Sequence, residues 1–120
     1  MKISFDYDST LSLETIESMV ASFNSELIDI YIITSRMQFG HSNTDLYQTT
    51  ERLGIIKDKI YFTESCYKWR KIKELGISIH FDDVVEESQL ILQNTQCIPV
   101  LLWDKDNLEL IKSDQFMRGI

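Results

Sequence analysis

Five short apolar runs, kept apart by segments whose apolar residues recur at helical spacing, constrain this chain more than anything else in it. Lys2 to Phe5 reads as a short strand ending in Asp6-Tyr7-Asp8. Between Leu11 and Phe23, residues Leu13, Ile16, Val20 and Phe23, joined by Met19, keep a helical period, with Ser12 as the expected N-cap. Leu27 to Ile33 is β-branched and almost wholly apolar, as a strand reads when both its faces are covered in a parallel sheet. Ser42 or Asn43 can cap a second helix over Thr44 to Leu53, with Gly54 ending it. Lys59 to Phe62 predicts a third strand. Tyr67 to Leu75 predicts a third helix closed by Gly76, and Ile77 to Phe81 a fourth strand. Val84 to Asn94 predicts a fourth helix and Ile98 to Trp103 a fifth strand, while the tail after Asp104 carries only weak signals.

Strand and helix in strict alternation predict an α/β three-layer sandwich around a doubly wound parallel sheet. A chain of 120 residues suits one compact domain over 1–120, and 43% hydrophobic with 26% charged residues allows a core of ordinary size. No apolar run approaches the ~20 residues that span a bilayer, and the N-terminus does not read as a signal peptide. A cytoplasmic location is expected, with no membrane partner. The net charge of −7 argues against tight, non-specific nucleic-acid binding, which needs clustered Lys and Arg. A nucleotide-sized substrate held through a metal remains compatible with it. Cys66 and Cys97 have no metal or redox spacing and are expected to be free thiols packed as small hydrophobes.

The polar residues carry the functional signal. Asp6 and Asp8 follow the first strand, Thr34, Ser35 and Arg36 the second, and Asp82 and Asp83 the fourth. Right-handed crossovers place all these loops on the carboxyl edge, where open α/β sheets bind ligands. A strand order 3-2-1-4-5 brings the three groups together beside the first strand. Any one aspartate reads equally well as a turn or capping residue. Two pairs on one edge repel each other unless compensated, and a divalent cation is the obvious compensation. Oxygen ligands favour Mg2+ over zinc.

Ile3-Ser4-Phe5-Asp6-Tyr7-Asp8-Ser9-Thr10-Leu11 resembles the first signature of the haloacid dehalogenase-like superfamily, an apolar strand followed by Asp-x-Asp-x-Thr. Ile30-Tyr31-Ile32-Ile33-Thr34-Ser35-Arg36 resembles the second, and His80-Phe81-Asp82-Asp83 the fourth. The third is only a Lys before the fourth strand. Lys68 fits it best, with Lys71 as the alternative. The resemblance covers residues 3 to about 85. It implies a small phosphatase without a cap domain, because Thr10 to Thr34 and Arg36 to Lys68 each have room for one helix and one strand.

The resemblance further implies roles. Asp6 would attack phosphorus and form an aspartyl-phosphate. Asp8, protonated through burial and its neighbour's charge, would act as general acid and then base. Mg2+ would be held by Asp6, the Asp8 carbonyl and Asp82, with Asp83 assisting. Thr34 would bind a phosphate oxygen, helped by the N–H groups of Tyr7 and Asp8, and Lys68 would neutralise both phosphate and Asp6. Ser35 and Arg36 are candidate substrate-binding residues, Arg36 through bidentate bonds to a second anionic group. His41 is a candidate contact to the leaving group. Thr10 is expected to support its loop, and His80 to be a packed core histidine. An open site of this kind acts on a phosphorylated small molecule or macromolecule end, or is closed by a second copy in a homo-oligomer. The alternatives are a catalytically silent binding or scaffold protein, and a receiver-type signalling module. The latter needs an acceptor Asp after the third strand, where this chain has Thr63-Glu64.

Overall fold

The computed structural model describes residues 1–102. Its strands are β1 (Lys2–Phe5), β2 (Asp29–Thr34), β3 (Ile60–Phe62), β4 (Ile79–Asp82) and β5 (Ile98–Leu101). Its helices are α1 (Glu14–Ala21), α2 (Thr44–Arg52), α3 (Trp69–Leu75) and α4 (Val85–Asn94). The strands form one parallel sheet in the order β3-β2-β1-β4-β5. Trp103, the last residue of the predicted fifth strand, and the tail after Asp104 lie outside the described residues. Among the described residues no helix is long and apolar enough to cross a membrane.

Side chains alternate across each strand, so each face of the sheet has its own core. Ile3, Phe5, Ile32, Ile79 and Phe81 pack with Ile16, Met19 and Val20 of α1 and Leu46 of α2. Ile33 packs on the opposite face with Ile72 of α3 and Ile91 of α4, joined by Ile77 and Cys97. Phe5 and Phe81, partners in register, stack with ring centroids 4.7 Å apart. This register also sets the carboxyl edge: one residue further on, Asp6 and Asp82 leave adjacent strands side by side. The Asp6 N–H donates to the Phe81 carbonyl at 2.9 Å and extends the pairing to the edge.

Several boundaries differ from the sequence reading. The first helix begins at Glu14 rather than Leu11, because residues 7–11 form a wide turn. In that turn Leu11 N–H donates to the Asp6 carbonyl and Ser12 N–H to that of Tyr7, with Ser9 at φ 58°. Ser12 is therefore not the helix cap; its hydroxyl accepts the Ser9 N–H instead. Asn43 stands at the cap position of α2, but its side chain donates to the carbonyls of Met37 and Gln38. The second strand starts at Asp29, since Leu27 and Ile28 fold back on the Asn24 carbonyl. The third strand loses Lys59 to a short 3₁₀ turn over Lys57–Lys59. Helix α3 begins at Trp69, which leaves Lys68 at its cap position. Gly76 closes α3 in the left-handed conformation, as expected. Cys97 is a buried thiol, whereas Cys66 is exposed in the loop after β3 and not packed as expected.

Candidate active site

In a sheet of order 3-2-1-4-5 the winding direction reverses between β1 and β4, and ligands bind at the carboxyl ends flanking that point. Asp6 and Asp82 occupy those ends. Asp6, Asp82 and Asp83 each offer a carboxylate oxygen, and these atoms lie within 4.8 Å of one another. The ammonium of Lys68 sits against the group, 3.0 Å from Asp6 Oδ1 and 2.7 Å from Asp82 Oδ2. Glu87 of α4 closes the far side, 3.7 Å from the same nitrogen and accepting the Lys68 backbone N–H. Lys68, Asp6 and Asp82 are all buried. The start of α3 explains the geometry: Lys68 holds its cap position, and its buried side chain meets Asp6 and Asp82.

Three carboxylates thus face one ammonium, and that of Asp83 stands beside Asp6 and Asp82 as a fourth. Burial pushes Asp6 up to about 7; the charges of Asp82 and Asp83 push the same way, and Lys68 pulls only partly back. Asp82 goes the other way. Burial raises it, but the hydrogen bond from His80 and the charge of Lys68 outweigh that and bring it down to about 2. Asp83 is raised, first by burial and then by Asp82. Glu87 is also raised by burial, although Lys68 opposes it. Burial works against the Lys68 charge, yet Asp6 and Asp82 hold it charged with a raised pKa. The cluster is short of positive charge, and its free donors are hard oxygens. A divalent cation that prefers carboxylates, such as Mg2+, fits both conditions.

Asp6, Lys68, Asp82 and Asp83 were legible in the sequence; Glu87 was not, and His80, buried as expected, also bonds to Asp82. Lys71, the alternative to Lys68, pairs instead with Glu74 at 3.0 Å and lies over the Tyr61 ring. No protein-family profile, curated protein or solved structure matches this chain. What the site can do therefore rests on its own geometry.

The remaining residues divide. Thr34 is fully buried at the end of β2, where its hydroxyl accepts the Arg36 N–H at 3.2 Å and keeps its own proton to donate. Ser35 is exposed, and its carbonyl accepts the Ser65 N–H. Asp8 is not buried as expected: its side chain is 54% exposed and lies outside the carboxylate triad. Both its oxygens accept from Arg36, at 2.9 and 2.7 Å. Arg36 does not offer a free guanidinium either. It also donates to both oxygens of Asp45, at 2.8 and 2.9 Å, and lies over the Tyr7 ring at 4.9 Å. These bonds hold Asp45 down to about 2 and raise Arg36 further above its usual range. The Tyr7 side chain is buried beneath, its hydroxyl 3.2 Å from Thr49 Oγ1. Thr10 is fully buried in the same turn, and its carbonyl accepts the Leu13 N–H.

Beside Arg36 opens a cleft of about 390 Å³, lined by Ser35, Met37, His41, Asn43 and Ser65 among others. A roomier cavity of about 780 Å³ lies at the opposite, amino edge of the sheet between Gly76, Ile77, Asn94 and Cys97. Among the described residues, none that lines it carries a carboxylate.

Proposed function

We propose that the protein is a Mg2+-dependent phosphohydrolase with Asp6 as nucleophile. The observation that carries this reading is the convergence of Asp6, Asp82 and Asp83 on the carboxyl edge with Lys68 buried among them. Resemblance of the same residues to haloacid dehalogenase-like signatures supports it. Asp6, Asp82 and Asp83 would hold the ion, which when bound offsets the charge of the carboxylates and of the phosphoryl group.

The chain's own residues supply the rest. An Asp6 oxygen attacks phosphorus, the ester P–O bond breaks, and the leaving oxygen takes a proton from Asp8. Water then attacks the aspartyl-phosphate, giving its proton to Asp8 and phosphate to solvent, and Asp6 is restored. Lys68 screens the approach of one anion to another, and the Thr34 hydroxyl donates to a phosphoryl oxygen. For Asp8 to carry a proton, its ion pair with Arg36 must open, so substrate entry and Arg36 movement are linked in this reading. The cleft beside Arg36 would take the alcohol part of the ester. Helices α1 and α2 lie in the two intervals where a cap would be inserted, which supports a site that takes a nucleotide or a phosphorylated polymer end.

The receiver alternative fares worse. In the order 2-1-3-4-5 of such folds the third strand is central, whereas β3 here is an edge strand. The test is hydrolysis of a panel of nucleoside monophosphates, sugar phosphates and end-phosphorylated oligonucleotides, with and without Mg2+. Turnover that needs Mg2+ and is lost in Asp6→Asn is the expected result. Turnover indifferent to both would sink the reading.

A further inference from the structure

A histidine buried in the middle of a parallel sheet needs a physical reason. His80 of β4 and Ser4 of β1 are partners in register, and both are fully buried. Their strand neighbours Ile3, Phe5, Ile79 and Phe81 are core hydrophobes. Two apolar residues would fill the same space without the cost of desolvating a hydroxyl and an imidazole. Alternation along the strands places Ser4 and His80 on the same face as Asp6 and Asp82, directly behind them.

The hydrogen bonds run outward from this pair to the site. His80 Nε2 lies 2.8 Å from Asp82 Oδ2, and an ionised carboxylate can only accept, so Nε2 carries the proton. In the neutral ring Nδ1 is then the acceptor, and the Ser4 hydroxyl donates to it at 2.6 Å. Lys68 Nζ donates to the same Asp82 Oδ2 at 2.7 Å, and Val84 N–H to Oδ1 at 3.1 Å. Oδ2 thus accepts two hydrogen bonds and is saturated. Oδ1 accepts one and keeps a lone pair.

We propose that His80, oriented by Ser4, is a positioning residue that turns Asp82 so that Oδ1 faces a divalent cation shared with Asp6 and Asp83. This rests on reading the triad as a Mg2+ site. Lys68 cannot set the orientation alone, because it is shared among Asp6, Asp82 and Glu87. His80 is held at both ring nitrogens and sits two residues before Asp82 on the same strand. Partners behind the ligands of a metal site commonly govern about 10–100-fold in metal affinity.

The test is calorimetric titration of the full chain with Mg2+ for wild type, His80→Phe and Ser4→Ala, with circular dichroism to verify folding. His80→Phe fills the ring's space and removes the Nε2–H donor, and its Mg2+ Kd is expected to rise about 10–100-fold. Ser4→Ala keeps the ring but releases Nδ1. Its Kd is expected to rise less, and in nitrogen NMR of the metal-free variant the His80 Nδ1 resonance should move away from its wild-type position while Nε2, still facing Asp82, keeps its proton. A folded His80→Phe with wild-type affinity overturns the positioning role and leaves the metal reading standing. If His80→Phe does not fold, unchanged affinity and an unchanged His80 Nδ1 resonance in Ser4→Ala overturn it instead. Wild type that binds no Mg2+ overturns the metal reading, and this proposal with it.

Discussion

Raising the pH from about 5 to about 8 without divalent cations should destabilise this protein, and Asp6 is the residue responsible. In the unfolded chain Asp6 titrates near 3.8, and in the folded protein at about 7. Below the unfolded value both states hold the proton, and the contribution to stability is fully present. Between the two values the folded state holds a proton that the unfolded state lacks, so stability falls as pH rises. Above about 7 the loss is complete. A displacement of about three pH units corresponds to roughly 4 kcal/mol, a large part of the stability of a small domain. Asp82 shifts the opposite way, to about 2, so its contribution is lost only in strong acid and does not overlap this window. Urea unfolding of wild type and Asp6→Asn in chelator, at both pH values, reads the effect of Asp6 and its cluster, since titrating groups outside the cluster cancel. The step from about pH 5 to about pH 8 covers about two of those units, so wild type should lose about 2–3 kcal/mol more than Asp6→Asn on going to the higher pH. Equal losses in the two proteins would refute the account of a charge-overloaded cluster.

The same geometry makes further predictions. At pH 8 Mg2+ should raise the unfolding free energy of wild type by about 2.7 kcal/mol at a hundredfold excess over Kd, and should stabilise Asp6→Asn much less. Lys68→Met strips the ammonium from buried carboxylates and should cost about 3–5 kcal/mol in urea unfolding at pH 8. Lys71→Met removes an exposed pair and should change stability by less than about 1 kcal/mol. Asp8→Asn should lower kcat about 10²–10⁴-fold while leaving Mg2+ affinity near wild type, because Asp8 lies on Arg36 and outside the triad; a matching loss of affinity would return Asp8 to the metal.

Much of this site is readable in the sequence because strand ends report position. An apolar run that stops at Asp6, Thr34 or Asp82 places that residue on the carboxyl edge whatever the exact strand length, and the alternation of elements restricts the order of strands. What escaped the sequence lies one step back from the edge or on another element. Glu87 follows Glu86 on an acidic helix start and reads as an ordinary first-turn residue favouring the helix dipole. Only the packing of α4 against α3 turns it toward Lys68. Ser4 and His80 each sit singly between hydrophobes, and their partnership depends on register across two strands that sequence spacing does not contain. Asp8 went astray for a local reason. The turn over residues 7–11 swings its side chain outward to Arg36, where neighbouring charge is positive rather than negative. Ser12 misses the cap position and Asn43 holds it without a capping side-chain bond for one reason, since both side chains are drawn off to nearby backbone groups.

The most direct test of the nucleophile is to catch the phosphoryl group on it. Turnover of the best phosphate ester with Mg2+ would be stopped with acid and the peptide containing Asp6 analysed by mass spectrometry. One phosphoryl group on Asp6, removed by hydroxylamine and absent from Asp6→Asn, is the predicted result. Vigorous turnover with the phosphoryl group on another residue, or undiminished turnover by Asp6→Asn, would contradict it.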